Sequence, residues 1–411
     1  MSSSKNNLRF SGVPYSDGLV WEGPEKSIAF KENEIISKLL EFKKPAYVVQ
    51  VGDNIGLSNE GKLTDSKNNN KASSNAICHV PPLPPENLGD QEFKRDHKTK
   101  YAFYAGSMAH GISSEKMVIA LGKEGFLASY GAGGILPNRL EDVIQTVQRE
   151  LPKGPYAFNL IHNPFQEAME RNAADLYLKH GVTTIEASAF MELTPHVVRY
   201  RVAGLSLDAN DNIQIKNRII AKISRREVAQ KFMEPPQEKF LIQLLEQGLI
   251  SELQVKLAKE IPMADDVTVE ADSGGHTDNR PLVSILPSII ALRNEIQEKY
   301  KYKQQIRVGA AGGVGTPESA LAAFMMGAAY IVTGSVNQAC LEAGSSDHVK
   351  NLLAQVEMAD VAMAPAMDMF EMGGKLQVIK RGTLFAMKAQ KLADLYRTYN
   401  SIDEIPAAEK E

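Results

Sequence analysis

Several features that would each define a protein class are scarce in this 411-residue chain. There are two cysteines, Cys78 and Cys340, so no disulfide framework holds the fold and nothing calls for an oxidising compartment. Positive charge is not in surplus: 46 Lys and Arg stand against 50 Asp and Glu, a net charge of −4. A chain built mainly to neutralise phosphates needs such a surplus, so nucleic acid is not an expected partner. Long hydrophobic runs are missing too. The most apolar stretch, Ala320 to Val332, is broken by Gly327 and falls short of the ~20 residues that span a bilayer. The opening MSSSKNNLRF carries no apolar signal segment. The expectation is a soluble, cytoplasmic protein without membrane contact. What is present is ordinary for a globular chain, 43% hydrophobic and 23% charged residues, with length enough to bury a large core.

The first 100 residues read as an N-terminal extension or small subdomain. A polar arm covers 1–25, helix-like ENEIISKLLEF and strand-like AYVVQVG follow, and the polar segment 59–80 reads as a mobile loop. From Tyr101 the texture changes. Eight short β-rich runs begin at 101, 126, 156, 183, 218, 266, 306 and 329, separated by helical patterns. Strands alternating with helices indicate parallel βαβ units. Eight of them over 101–357 have the size of a (β/α)8 TIM barrel. The alternative, a doubly wound open sheet, would carry a G-x-G-x-x-G turn after its first strand, which is absent after Tyr104. Runs five and six start 48 residues apart, against 23 to 40 elsewhere, so a helical insertion of about 228–264 follows strand five. It reads either as a cover above the C-terminal face or as extra packing on the outer ring. Residues 358–411 form a C-terminal segment expected to pack on the barrel; its six methionines suit a core, or a surface that accepts varied apolar shapes.

In such a barrel the loops after the strands build the site. After strand seven, Gly312, Gly313 and Gly315 precede Thr316 and Pro317, a cap and a favoured first helical residue. After strand eight come Gly334 and Ser335. Two glycine turns at these mouths suit a phosphate. After strand six, Gly274 and Gly275 open the backbone and His276 follows, a residue able to move a proton near neutrality or simply a solvated loop side chain. After strand one, Gly106, Ser107 and Met108 can lie beside a flat ring, and His110 is a lesser proton-transfer candidate. Asn159 ends strand three, where its amide could meet a ring edge or a neighbouring strand; His162 follows it. Lys222 shares one face with Arg218, Ile220 and Ser224 by period two, and near the strand end reads as a fixed cation over the site or a lysine reaching solvent. No metal set, serine-hydrolase elbow or P-loop is present in the sequence. A phosphate grip with acid–base groups suits FMN or pyridoxal phosphate, and the glycines beside His276 favour the larger flat ring.

The runs DDVTVEADSGGHTDNRPL, RVGAAGGVGTPESALAAFMMGAAYIVTGSVNQA and DVAMAPAMDMFEMGGKLQVIKRGTLF resemble the trans-acting enoyl reductases of polyunsaturated fatty acid and trans-acyltransferase polyketide synthases. These are similar to FMN-dependent bacterial enoyl reductases and, more distantly, to nitronate monooxygenases. The resemblance runs from WEGPEKSIAF to DEIPAAE, apart from the loop at 59–80. It implies FMN with its phosphate on Gly274, Gly275, Gly312, Gly313, Gly334 and Ser335, and its ring against Gly106, Ser107 and Met108, with Asn159 and Lys222 at the polar edge. His276 stands at the superfamily's functional histidine. Asp272 and Ser273 depart from the Glu and Ala that relatives often carry there. The implied reaction is reduction of an enoyl thioester on an acyl carrier protein, with NADPH as co-substrate; nitroalkane oxidation is the alternative. Arg199 and Arg201, Arg225 and Arg226, or Lys380 and Arg381 are candidate basic docking patches, and a homodimer is left open.

Overall fold

The computed structural model describes residues 19–65, 74–367 and 369–410. Residues 1–18 of the expected polar arm and the centre of the expected mobile loop, 66–73, lie outside the described residues. The chain divides into two compact units at Leu88/Gly89.

The first unit is an antiparallel sheet. Its elements are β1 (Leu19–Glu22), α1 (Glu32–Leu39), β2 (Ala46–Val51), β3 (Asn54–Ser58), β4 (Lys62–Asp65) and β5 (Ser74–Val80), in sheet order β3-β2-β5-β1-β4. Two strands therefore occupy most of the described part of what read as a loop. The polar composition of 59–80 hid them because β5 pairs on both sides with partners distant in sequence. The chain's single tryptophan, Trp21, is buried in this unit with Ile28, Tyr47, Val49 and Ala76. Its indole N–H donates to Glu60 O at 2.9 Å.

Helix α2 (Gln91–His97) opens the second unit, so the boundary falls before it rather than at 100. The reason is packing. Phe93 stacks on Tyr330 at 4.2 Å between centroids, and His97 Nε2 lies 2.7 Å from Asp266 Oδ2. The barrel strands are β6 (Phe103–Ala105), β7 (Leu127–Tyr130), β8 (Ala157–Ile161) and β9 (Thr184–Ser188). After a small hairpin, β10 (Leu205–Leu207) and β11 (Ile213–Ile215), come β12 (Arg218–Ile223), β13 (Asp266–Glu270), the two-residue β14 (Gly275–His276), β15 (Arg307–Ala311) and β16 (Ile331–Thr333). All but β10, β11 and β14 close into an eight-stranded parallel barrel. Helices α3 (Glu115–Lys123), α4 (Pro137–Glu150), α5 (Glu167–Lys179), α6 (Pro195–Ala203), α7 (Arg226–Met233), α8 (Glu238–Glu246), α9 (Glu252–Ala258), α10 (Leu282–Tyr300) and α11 (Pro317–Met325) belong to the second unit. This is the expected (β/α)8 architecture.

Alternation along the strands divides the core. Outward residues such as Phe158, Ile185, Ile219 and Val267 pack with the helices, whereas Tyr104, Leu127, Ala157, Ile220 and Tyr330 fill the barrel. Local signals set the helix starts. Ser114, Thr194 and Thr316 each accept a hydrogen bond from the amide three residues on, and Pro195 and Pro317 take the first helical position.

The insertion after strand five lies in the outer layer. Met263 N donates to Glu234 O at 3.0 Å and Ala264 N to Phe232 O at 2.8 Å, so residues 235–262 leave and return at the strands' N-terminal ends. Helices α8 and α9 then pack over α6. The expectation of a cover above the C-terminal face fails here because α7 already completes the βα unit, and surplus residues enter after it.

Residues beyond the barrel, α12 (Asp347–Leu353), β17 (Val361–Pro365), β18 (Lys375–Ile379) and α13 (Phe385–Thr398), end the fold. Strands β17 and β18 form a hairpin that pairs with β14. Of the tail methionines, Met358, Met363, Met367 and Met387 are exposed rather than in a core; α13 packs against the hairpin through buried Ala389 and Ala393.

Candidate active site

The inward parity of four neighbouring strands brings charge to the C-terminal mouth. Glu186 on β9 is fully buried. It accepts hydrogen bonds from the Tyr104 hydroxyl, from Ser107 N at 3.0 Å and from Ser107 Oγ at 2.5 Å. Lys222 on β12 places Nζ 3.7 Å from Glu186 Oε1 and 3.3 Å from Glu270 Oε1. Burial works against the ammonium, but Glu270 and then Glu186 outweigh it and hold the Lys222 pKa above the ordinary lysine value. Burial, and then the adjacent Glu186, push the Tyr104 phenol well up. Asn159 is buried; its amide nitrogen donates to Glu186 O at 3.2 Å and Ser188 Oγ at 2.8 Å. Lys222 is thus a cation clasped by two carboxylates rather than a lone positive charge. Tyr104 and Glu270 were not singled out from sequence. Their signal is a parity argument: a carboxylate on the inward face of a buried strand demands a donor, and Lys222 and Tyr104 sit on neighbouring faces.

The backbone after β6 is held from within. Gly106 N donates to Thr333 O at 3.0 Å, Ser107 N to Glu186, and Met108 N to Ser113 Oγ at 2.9 Å. This segment offers a surface to a ring, with its donors already committed. The cap of α11 behaves likewise: Gly315 N and Thr316 N both donate to Ser319 Oγ, at 3.1 and 3.0 Å.

The glycine turns differ. Among the described residues, none accepts a backbone hydrogen bond from the amides of Gly274, Gly312, Gly313 or Gly334. A Cβ on Gly313 or Gly334 would meet no atom within 4 Å, whereas on Gly312 it would press on the Ala271 and Asp272 backbone at 2.7–2.8 Å. Gly274 lies close to the next mouth, since a Cβ there would sit 3.0 Å from Ser335 Oγ. Loops after β13, β15 and β16 therefore converge with unused N–H donors around open space. That arrangement fits an anionic phosphate, and with it a flat ring over the Ser107 surface.

His276 is exposed at the tip of the loop after β13 and pairs with Leu376 of β18. His162 is not part of the mouth chemistry: its Nδ1 lies 2.8 Å from Glu170 Oε2 and its ring stacks on Phe190. His110 is exposed in a left-handed conformation, φ 56°. Among the described residues no helix is long and apolar enough to cross a membrane.

The docking candidates separate. Arg201 is fully buried and paired with Asp265 at 2.5 Å, so it belongs to the core and not to a surface patch. Arg225 grips Asp278 through two hydrogen bonds of 2.9 and 3.0 Å, and Arg226 pairs with Glu295. Arg381 reaches Asp360 at 3.3 Å, beside exposed Lys380.

Comparison with known proteins matches the two units separately. Residues 21–82 match the N-terminal domain of the fatty acid synthase protein PfaD, and residues 91–392 match nitronate monooxygenase. A polyunsaturated fatty acid synthase component of Thraustochytrium sp. is 45% identical over 95% of this chain, and polyketide biosynthesis protein PksE of Bacillus subtilis is 48% identical over 78%. The chain spans only 26% and 42% of those two proteins. The enoyl reductase domain of MlnA, from the macrolactin cluster of Bacillus amyloliquefaciens, superposes with a TM-score of 0.77 at 41% identity, covering 80% of this chain and 74% of that one. The Thermotoga maritima FabK structure shares the fold, with a TM-score of 0.53 at 17% identity, covering 75% of this chain and 78% of that one. The chain belongs to the nitronate monooxygenase family, in the branch that includes this enoyl reductase domain.

Proposed function

We propose that this chain is an FMN- and NADPH-dependent enoyl reductase serving a polyketide or polyunsaturated fatty acid synthase. The substrate is the 2,3-double bond of an enoyl thioester on an acyl carrier protein. The observation that carries the reading is the convergence of open glycine amides at Gly274, Gly312, Gly313 and Gly334 around the Ser107 surface. The 41% identity to an enoyl reductase domain supports the choice of reaction. When bound, the flavin would supply hydride transfer from NADPH to the β-carbon. The chain's own residues supply the rest. Gly274, Gly275, Gly312, Gly313, Gly334 and Ser335 would hold the phosphate. Gly106, Ser107 and Met108 would back the ring, kept rigid by Glu186. Lys222 and Asn159 would border its polar edge, and His276 would deliver a proton to the α-carbon.

The test is a visible spectrum of the purified protein under anaerobic conditions. The reading expects flavin absorbance that NADPH bleaches and an enoyl thioester on its carrier protein restores. A protein without flavin, or a reduced flavin indifferent to the enoyl thioester, refutes it. Flavin reduced by a nitroalkane instead would favour the alternative chemistry.

A further inference from the structure

The loop that carries His276 is closed at its base, where Asp272 N donates to Arg280 O at 2.8 Å. One flank is tied to β12's end through Asp278, which accepts from Ser224 and Arg225. Further ties come from residues about 100 positions later in the chain. Gly275 pairs with Gln377 and His276 with Leu376. Thr277 N donates to Lys375 O at 3.3 Å, and Gln377 Nε2 donates to Asp272 Oδ1 at 3.0 Å. Gln377 thus grips this loop twice, by strand pairing at its tip and by side chain near its base. Its own strand is anchored in turn, because β18 pairs along its whole length with β17.

We infer that Gln377 is a positioning residue for His276, and that the C-terminal hairpin is a working part of the active site. This rests on the reading of His276 given above. Backbone pairing alone fixes the tip's height over the mouth; the Gln377–Asp272 bond stops the loop from twisting about its two glycines. A charge-assisted bond of this kind is worth about tenfold in an equilibrium or rate that depends on it.

The test uses the full-length flavoprotein with enoyl thioester on carrier protein. Gln377→Met keeps the volume and removes the donor; turnover should fall about tenfold with flavin content unchanged. Gln377→Glu sets a carboxylate against Asp272. The groups around that pair are His276, Asp278 and Arg280 on the same loop, Arg225 holding Asp278, and Lys375 on β18. At alkaline pH the two carboxylates repel; as pH falls one takes up a proton and donates as the amide did. The ratio of Q377E to wild-type turnover should therefore rise toward acid pH, a profile that loosened packing alone would not produce. Wild-type turnover in Q377M, or a flat ratio in Q377E, overturns the inference. If Q377E does not fold, the Q377M turnover and flavin content decide alone. Failure of the wild-type protein to reduce the enoyl thioester would instead remove the underlying reading.

Discussion

Removing the ammonium between Glu186 and Glu270 is the sharpest perturbation of the mouth. Lys222→Met keeps the stem and deletes the charge. At 3.3 and 3.7 Å the two attractions are each worth roughly 5 kcal/mol at an effective dielectric of about 20. Desolvation of the ammonium takes back much of this, and the side chain is 20% exposed at the rim. A net loss of about 3 kcal/mol is expected, the low end for a broken buried pair. The pH dependence separates this from lost packing. In wild type, Glu270 and Glu186 raise the Lys222 pKa above its unfolded value. Its contribution is thus fully present below about pH 10.4 and fades only as pH rises through the folded value. In K222M the two carboxylates that shared the ammonium face each other without it, and their mutual repulsion is uncompensated wherever both are charged. That variant is therefore least handicapped at acid pH, where the carboxylates lose charge, and most handicapped where both are charged. Urea titrations of both proteins at about pH 8 and about pH 5.5 measure the difference. A variant as stable as wild type at the higher pH, or a gap that does not narrow at the lower, refutes the reasoning.

His276→Ala should retain flavin and lose about a hundredfold or more of turnover, read by NADPH consumption with an enoyl thioester. A Cβ at Gly334 meets nothing within 4 Å and its φ of −135° lies outside the left-handed region, so in Gly334→Ala melting temperature should hold while flavin content falls. Asp266 is held well below the usual carboxylate range: burial opposes this, but Arg307 and then His97 outweigh it. Its stabilisation is present above the unfolded value of about 3.9 and drains as pH falls through the folded one, so acid unfolding should begin below about pH 4 and be weaker in steepness for Asp266→Asn. Arg201→Met leaves Asp265 without its 2.5 Å partner in the core and should cost about 3 kcal/mol in urea titrations.

The barrel was legible because its signal is periodic. Each of the eight strands falls inside one of the runs read from sequence, since buried parallel strands show as short apolar blocks between helical patterns. The glycine turns were legible for a related reason: Gly312 is intolerant of a side chain and adopts φ +88°, a conformation few other residues take. What escaped was every feature that depends on pairing across distance. Strands β4 and β5 carry little apolar alternation, and only their neighbours make them strands. Arg201 looks like a surface cation until Asp265 is found beside it, sixty-four positions on. The hairpin that meets His276 cannot be read from the tail's methionine-rich composition.

Counting amide donors explains why the two halves of the mouth play different parts. After β6 the donors are spent on Thr333, Glu186 and Ser113, which makes that wall stiff. A ring that changes charge during a reaction is well served by such a wall, because no dipole there needs to reorient. After β13, β15 and β16 the amides of Gly274, Gly312, Gly313 and Gly334 have no backbone acceptor among the described residues, and all four lie at least partly exposed. Four such amides gathered at one mouth suit a phosphate, a ligand whose geometry several N–H groups can meet at once. The same reasoning sets what mutations there will do. A side chain added at Gly334 competes with the ligand without disturbing the core, whereas one at Gly312 first has to displace the backbone that follows β13, and one at Gly313 meets a φ of +71° that side chains rarely adopt. Loss of ligand without loss of fold at Gly334, and loss of both at Gly312, is the pattern that separates a built anion cradle from a turn that merely needs glycine.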